Sequence, residues 1–197
     1  MKERGAPLDA VAWVALEVRA RAPRLGGVRL VCVDGPAGSG KSSFAGRLAD
    51  RLQGDDVRAS VVHLDDLYEG WSGLEGDLWP RLAAQVLEPL RRGRAGRYQR
   101  YDWATEAFAD WVDVPVPAVL VVEGCGAARR ASMQVAALSV WVEAPAELRL
   151  ARGLERDGKE QSAAWIAWAA QEAAHFGRER TRDRADVRLD AYGRMTK

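Results

Sequence analysis

Residues 35–42 read Gly-Pro-Ala-Gly-Ser-Gly-Lys-Ser, a full match to the spacing G-x-x-x-x-G-K-[ST]. The chemistry of that spacing is phosphate binding. Glycines let successive backbone N–H groups converge on phosphate oxygens, and a helix opening directly behind them adds the positive end of its dipole. Gly35, Ala37, Gly38, Ser39, Gly40, Lys41, Ser42 and Ser43 are therefore expected to cradle a purine nucleoside triphosphate, ATP, with Lys41 as a point charge for the β- and γ-phosphates and Ser42 as a hydroxyl for Mg2+. Lysine is scarce in a chain whose 29 basic residues are nearly all arginine, so its use at position 41 argues against a chance glycine turn.

A second group of chemical residues follows an apolar run in "VVHLDDLYEGW", residues 61–71. Asp65 and Asp66 end that run, and Glu123 ends another, "AVLVVEG". A carboxylate at the edge of a sheet beside bound phosphates can take the proton of an attacking hydroxyl or hold a metal ion through water. Asp65 is assigned that work; Asp66 is equally well read as a turn or cap residue. Arg152 and Arg156 stand four apart on an expected helix, hence on one face, and two guanidinium forks suit the charge of a transferring phosphoryl group. Trp71, Trp103 and Trp111 lie in expected loops beside carboxylates, where an indole can stack on a base or sugar, whereas Trp141, Trp165 and Trp168 read as core. His63 is expected to be buried in its strand and His175 to be structural; two histidines so far apart make no metal site.

These residues need a frame. "VRLVCVDG", "VRASVVHL", "AVLVVEGCG", "VAALSVWVEAP" and "ADVRLDA" read as strands, and helices are expected over residues 8–21, behind the glycine loop, over 77–92, in "AELRLARGLERDG" and in "QSAAWIAWAAQEAAHFGRE". Strands alternating with helices predict a parallel sheet covered on both faces, whose ligands sit beyond the carboxyl ends of the strands. "RRGRAGRYQR" is an Arg-rich continuation, and "YDWATEAFADWVDVPVP", without clean periodicity, is expected to be loop. No repeat or linker interrupts the chain, so residues 1–197 are expected to form one domain, with the helix inside residues 1–24 packed on it.

Composition sets limits. A formal charge of +1 gives no global field for nucleic acid or an anionic membrane, so phosphate binding must be local. No membrane span or leader is evident, and two distant cysteines in apolar runs suit a reducing, cytoplasmic setting. A homo-oligomer stays open.

In order, "GPAGSGKSS", "HLDDLYEGW", "RYQRYDWAT", "VLVVEGCGA" and "LRLARGLERDG" resemble the motifs of the uridine kinase and phosphoribulokinase-like family of P-loop kinases, over roughly residues 28–190. The resemblance implies an α/β, three-layer P-loop NTPase fold of the nucleoside and NMP kinase type, with a five-stranded parallel sheet and a short lid near 149–160. It implies that Asp65 is general base and metal contact, that Tyr68 touches the acceptor, and that Tyr101, Asp102 and Trp103 border its pocket. Glu123, with Gly124 behind it, would lie near Mg2+, and Arg149, Arg152 and Arg156 would belong to the lid. The family's ribose-gripping aspartate has Asp77 as its counterpart here, and Ala104, Thr105 and Glu106 stand where the family carries an arginine.

The expectation is an ATP-dependent kinase acting on a hydroxyl of a small, nucleoside-like acceptor, with Trp71 as a further wall. Two other readings remain open. A nucleoside monophosphate kinase would grip its acceptor phosphate with Arg94, Arg97 or Arg100, and an ATP-binding regulatory module would lack acceptor chemistry.

Overall fold

The structure, a computed structural model, describes residues 9–54 and 57–196. Strands β1 (Arg29–Asp34), β2 (Ala59–His63), β5 (Val119–Glu123), β6 (Ala136–Val142) and β7 (Val187–Leu189) form one sheet, ordered β2-β5-β1-β6-β7, with every neighbouring pair parallel. The remaining two, β3 (Gly96–Asp102) and β4 (Ala107–Val114), pair antiparallel as a separate hairpin.

Side chains alternate across a strand, so a strand buried on both faces is apolar throughout. Val31 and Val33 of β1 face one core, shared with α1 (Ala10–Ala20) and α2 (Lys41–Leu52); Leu30 and Cys32 face the other. On α2 the stripe Phe44, Leu48 and Leu52 supplies the apolar face. Leu48 is fully buried, and truncation to alanine would cost roughly 2–5 kcal/mol. The opposite layer holds α3 (Leu78–Leu82), which runs through a π-helical turn (Ala83–Leu87) into α4 (Glu88–Arg91), together with α6 (Ser162–Glu179). The α/β architecture with a five-stranded parallel sheet is thus as expected.

Local expectations fared unevenly. Of the apolar positions at helical spacing expected to form the buried face of α1 (Leu8, Val11, Ala12, Ala15, Leu16 and Val18), Leu16 points outward and is exposed, while Val14 fills the core; Leu8 lies outside the described residues. The segment expected to be loop, with the Arg-rich stretch before it, is the β3–β4 hairpin. Its alternation was hidden by an irregularity between Gln99 and Tyr101: the buried residues are Gly96, Tyr98 and then Tyr101, which breaks the period of two. β4 lies outside and buries little besides Val114, so it carries no apolar run.

Before α6 come α5 (Ala146–Asp157) and a 3-10 turn (Lys159–Gln161), and after it the short α7 (Thr181–Arg184). Gly153 allows α5 and α6 to meet, since a Cβ there would collide with the Trp165 indole.

Candidate active site

Parallel register brings the chemistry to one edge. Val33 lies beside Glu123, and Glu123 beside His63, so the segments leaving β1, β5 and β2 open together at the carboxyl end of the sheet. A cavity of about 810 Å³ lies there.

One end of the cavity is backbone. Ala37, Gly38, Gly40, Lys41, Ser42 and Ser43 line it. Gly38 and Gly40 hold φ of 75° and 101°, in the left-handed region that glycine adopts without penalty. Gly40 also caps α2 with no side chain, leaving the first-turn N–H groups of Lys41, Ser42 and Ser43 for a ligand. Lys41 is 7% exposed, and its Nζ donates to the Pro36 carbonyl at 3.0 Å. Burial lowers the pKa of this ammonium, but the Cys125 thiol and the carboxyl groups of Glu123, Asp65 and Asp34 around it outweigh burial and leave it raised. It therefore stays charged at neutral pH.

Behind this loop lie two carboxylates that sequence reading passed over. Asp34 ends β1, fully buried; its Oδ1 accepts from Gly35 N at 2.7 Å and Gly126 N at 2.9 Å, and its Oδ2 from Ala128 N at 2.7 Å. Burial pushes its pKa up against those three bonds. It ties the glycine loop to the turn behind Glu123. Glu172, buried on α6, accepts from Ala37 N at 2.7 Å and from Arg149 Nη1 at 2.7 Å, and so joins the loop to α5. Arg152 Nη1 donates to the Gly38 carbonyl at 3.2 Å. Asp34 could have been suspected from its place before the motif; Glu172, more than a hundred residues on, carried no local signal.

The other end is aromatic and acidic. The 3-10 turn Leu64–Asp66 leaves β2 and carries Asp65 and Asp66 onto the cavity wall. Asp65 reaches cavity water while protein crowds it on most sides; this crowding is the larger push raising its carboxyl pKa, and Glu123 adds to it, against Lys41, Arg156 and His63. Glu123 is 3% exposed, and its Oε1 meets His63 Nδ1 at 2.6 Å. His63 is thus a corrected expectation: its side chain is 46% exposed, because β2 is the edge strand, and it partners a carboxylate of the site. Bonding to Glu123 raises its pKa, against partial burial.

Trp71, Trp103, Trp165 and Trp168 wall this end. Trp103 Nε1 donates to the Asp65 carbonyl at 3.0 Å, and Trp165 Nε1 to Asp157 Oδ2 at 3.0 Å. Trp165 and Trp168, read as core, are indeed buried, yet they also face the cavity. A residue on the rim between core and cavity serves both.

Of the expected site residues, Lys41, Ser42, Asp65, Asp66, Tyr68, Trp71, Trp103, Glu123, Arg152 and Arg156 line this one cavity. Tyr68 is buried, with its hydroxyl spent on the Cys125 carbonyl at 2.8 Å, so only its ring remains for contact. Five expected positions of the phosphate loop and acceptor pocket fall outside the lining. Gly35 lies beneath it, packed on Val142, and Ser39 Oγ is buried without a partner among the described residues. Tyr101 is buried behind Trp103, with ring centroids 5.4 Å apart, and Asp102 folds its carboxylate onto Ala104 N at 2.9 Å to close the hairpin turn. Asp77 is exposed at the start of α3. The hairpin arginines are also elsewhere: Arg97 pairs with Asp113 at 3.3 Å and Arg100 with Asp110 at 3.2 Å, and Arg94 does not line the cavity. Arg149 is engaged by Glu172 at the back of the loop, away from the lining.

The residues present fit a nucleoside triphosphate with Mg2+. The loop offers free N–H groups and a buried lysine, and Ser42, Asp65 and Glu123 offer oxygen donors. Among the described residues no group of three or more His, Cys, Asp or Glu forms a cage for a metal. A hard ion that keeps waters and substrate phosphates as ligands does not need one.

Residues 72–165 match the sequence model described as the phosphoribulokinase / uridine kinase family. No curated protein matches the sequence. Among solved structures, a possible uridine kinase from Bacillus stearothermophilus is 20% identical with a TM-score of 0.67, over 92% of this chain and 97% of that one. A D-glycerate 3-kinase from Cryptococcus neoformans var. grubii is 14% identical with a TM-score of 0.57, over 95% of each. The fold is that of P-loop kinases, and their described acceptors differ from one another.

Proposed function

We propose that this chain, a P-loop kinase of the phosphoribulokinase and uridine kinase type, transfers the γ-phosphoryl group of ATP to a hydroxyl of a small, nucleoside-like molecule. The observation that carries the reading is a single cavity with a glycine loop and Lys41 at one end and Asp65, its basicity raised, at the other. Loop N–H groups and Lys41 would bind the β- and γ-phosphates. Arg152 and Arg156 would supply further positive charge where negative charge accumulates during transfer. Bound Mg2+, held by Ser42 with Asp65 or Glu123 through water, would supply charge neutralisation. Asp65 would accept the hydroxyl proton, and its raised pKa matches that work better than an ordinary aspartate. The α5 segment through Gln161 would serve as the lid, since it reaches the glycine loop and the cavity together.

A nucleoside monophosphate kinase is less well supported, because Arg94, Arg97 and Arg100 do not line the cavity. The test is ADP release across a panel of nucleosides, sugars and other small alcohols. Acceptor-dependent release that disappears in Asp65→Asn, while ATP still binds, supports the proposal. ATP binding with no release on any acceptor would instead favour a regulatory module.

A further inference from the structure

Trp71 stands on the acceptor wall in a segment with little structure of its own. Between the turn behind β2 and the start of α3, the one regular piece is the 3-10 turn Gly70–Ser72. A backbone outside helix and sheet has no ladder to fix it, so it leans on groups from elsewhere in the fold.

Those groups come from one face of α6. Gln171 Nε2 donates to the Trp71 carbonyl at 3.0 Å. One turn on, the buried His175 meets Glu75 Oε1 through Nδ1 at 2.6 Å, and Arg178 Nη2 reaches the same oxygen at 2.6 Å. Positions 171, 175 and 178 follow i, i+4 and i+7, so a single helical face lies along residues 71–75. Trp168, three residues before Gln171, has its ring centroid 6.2 Å from that of Trp71. Glu172, the next residue along, turns instead to Ala37 N of the phosphate loop at 2.7 Å. Adjacent residues of one helix thus reach opposite ends of the cavity.

We propose that Gln171 is a positioning residue for the acceptor, holding the Trp71 backbone so that its indole keeps its place on the wall. The proposal rests on the kinase reading for what that wall receives. A displacement of about 1 Å in a wall far from the reacting atoms is enough to loosen a substrate. The first test needs no acceptor. The full chain labelled with fluorotryptophan gives one fluorine NMR resonance per indole, and that of Trp71 is assigned with Trp71→Phe. Gln171→Met, which keeps the length and removes the donor, and Gln171→Glu, which sets a carboxylate against the carbonyl, should both move this resonance by more than its linewidth.

The second test is kinetic. Acceptor KM is measured with whichever of uridine, cytidine, adenosine, ribose and glycerol gives the fastest ADP release. It should rise about five-fold in both variants, the effect of one ordinary hydrogen bond, with ATP KM unchanged. In a Trp71→Ala background the same substitutions should change it by less than about two-fold, because the group they act through is gone. A merely structural glutamine would weaken both backgrounds alike. An unmoved Trp71 resonance, a joint rise in both KM values, or an undiminished effect in Trp71→Ala overturns the proposal. If the parent chain releases no ADP with any alcohol, the kinase reading fails and the acceptor role with it. An unmoved resonance in a chain that does transfer phosphate overturns the positioning alone.

Discussion

The two ends of the cavity are built in opposite ways. The phosphate end comes from one run of residues, 35–43, and works largely through backbone N–H groups whose direction is fixed by left-handed glycines. The acceptor end is assembled from four separate places: the turn behind β2, the tip of the hairpin, the end of β5 and the α5–α6 junction. It works through side chains. Backbone chemistry needs a short strict motif, whereas a side-chain wall needs only suitable groups arriving from anywhere in the fold. Substitutions should therefore act as a block at the first end and separately at the second.

The largest expected effect lies where the two ends meet. Asp65→Asn should lower kcat by about a thousand-fold, within the range for removing a general base, while calorimetry shows ATP affinity little changed. Its stability should move the other way. The native pKa of Asp65 is raised, so what it contributes to stability is full below the ordinary aspartate value of 3.8 and lost as pH rises through its native value. At pH 7 the ionised group is a net cost. The variant should thus have a higher Tm than the parent at pH 7, and the gap should close on acidification; a lower Tm at pH 7 would contradict this account of the site.

Next comes the link behind the phosphate end. Glu172→Gln leaves Arg149 without its buried partner and weakens the tie to Ala37 N, at a cost of about 3 kcal/mol, or roughly 6–12 °C in Tm. KM for ATP should rise and KM for the acceptor should not. Trp103→Ala should show the reverse split. Loss of an exposed stacking wall is worth about 1 kcal/mol, so acceptor KM should rise roughly five-fold with ATP KM unchanged. If both variants moved both constants together, the division into two ends would fail.

The same division explains what was legible in the sequence. The sheet could be read because β1 and β5 are continuous apolar runs, and the loop because its spacing is rigid. Asp65 could be placed because a strand end fixes which edge it reaches. The hairpin was missed because an irregularity breaks its alternation, and Glu172 because its partner lies 135 residues away. Asp77 and Asp102 were acceptor groups only by the family resemblance. In space one begins a helix and the other closes a turn. Trp165 shows the limit of burial as a criterion, since an indole packed on Gly153 can still present its other side to a cavity.

The smallest effect tests the join between β2 and β5. His63 is bonded to Glu123, and its native pKa is raised above the ordinary 6.5, so its contribution to stability is full below that value and lost as pH rises through the native one. With a half-exposed ring the contribution stays under about 1 kcal/mol. His63→Gln should therefore lower Tm slightly at pH 6 and not at pH 9. Because Glu123 faces the same cavity as Lys41, loss of the His63 charge also frees that carboxylate for Mg2+, and the Mg2+ concentration giving half-maximal rate should be lower in the variant at pH 6 than in the parent. A variant requiring more Mg2+ at pH 6 would place Glu123 outside the metal's surroundings and leave Ser42 and Asp65 to hold the ion.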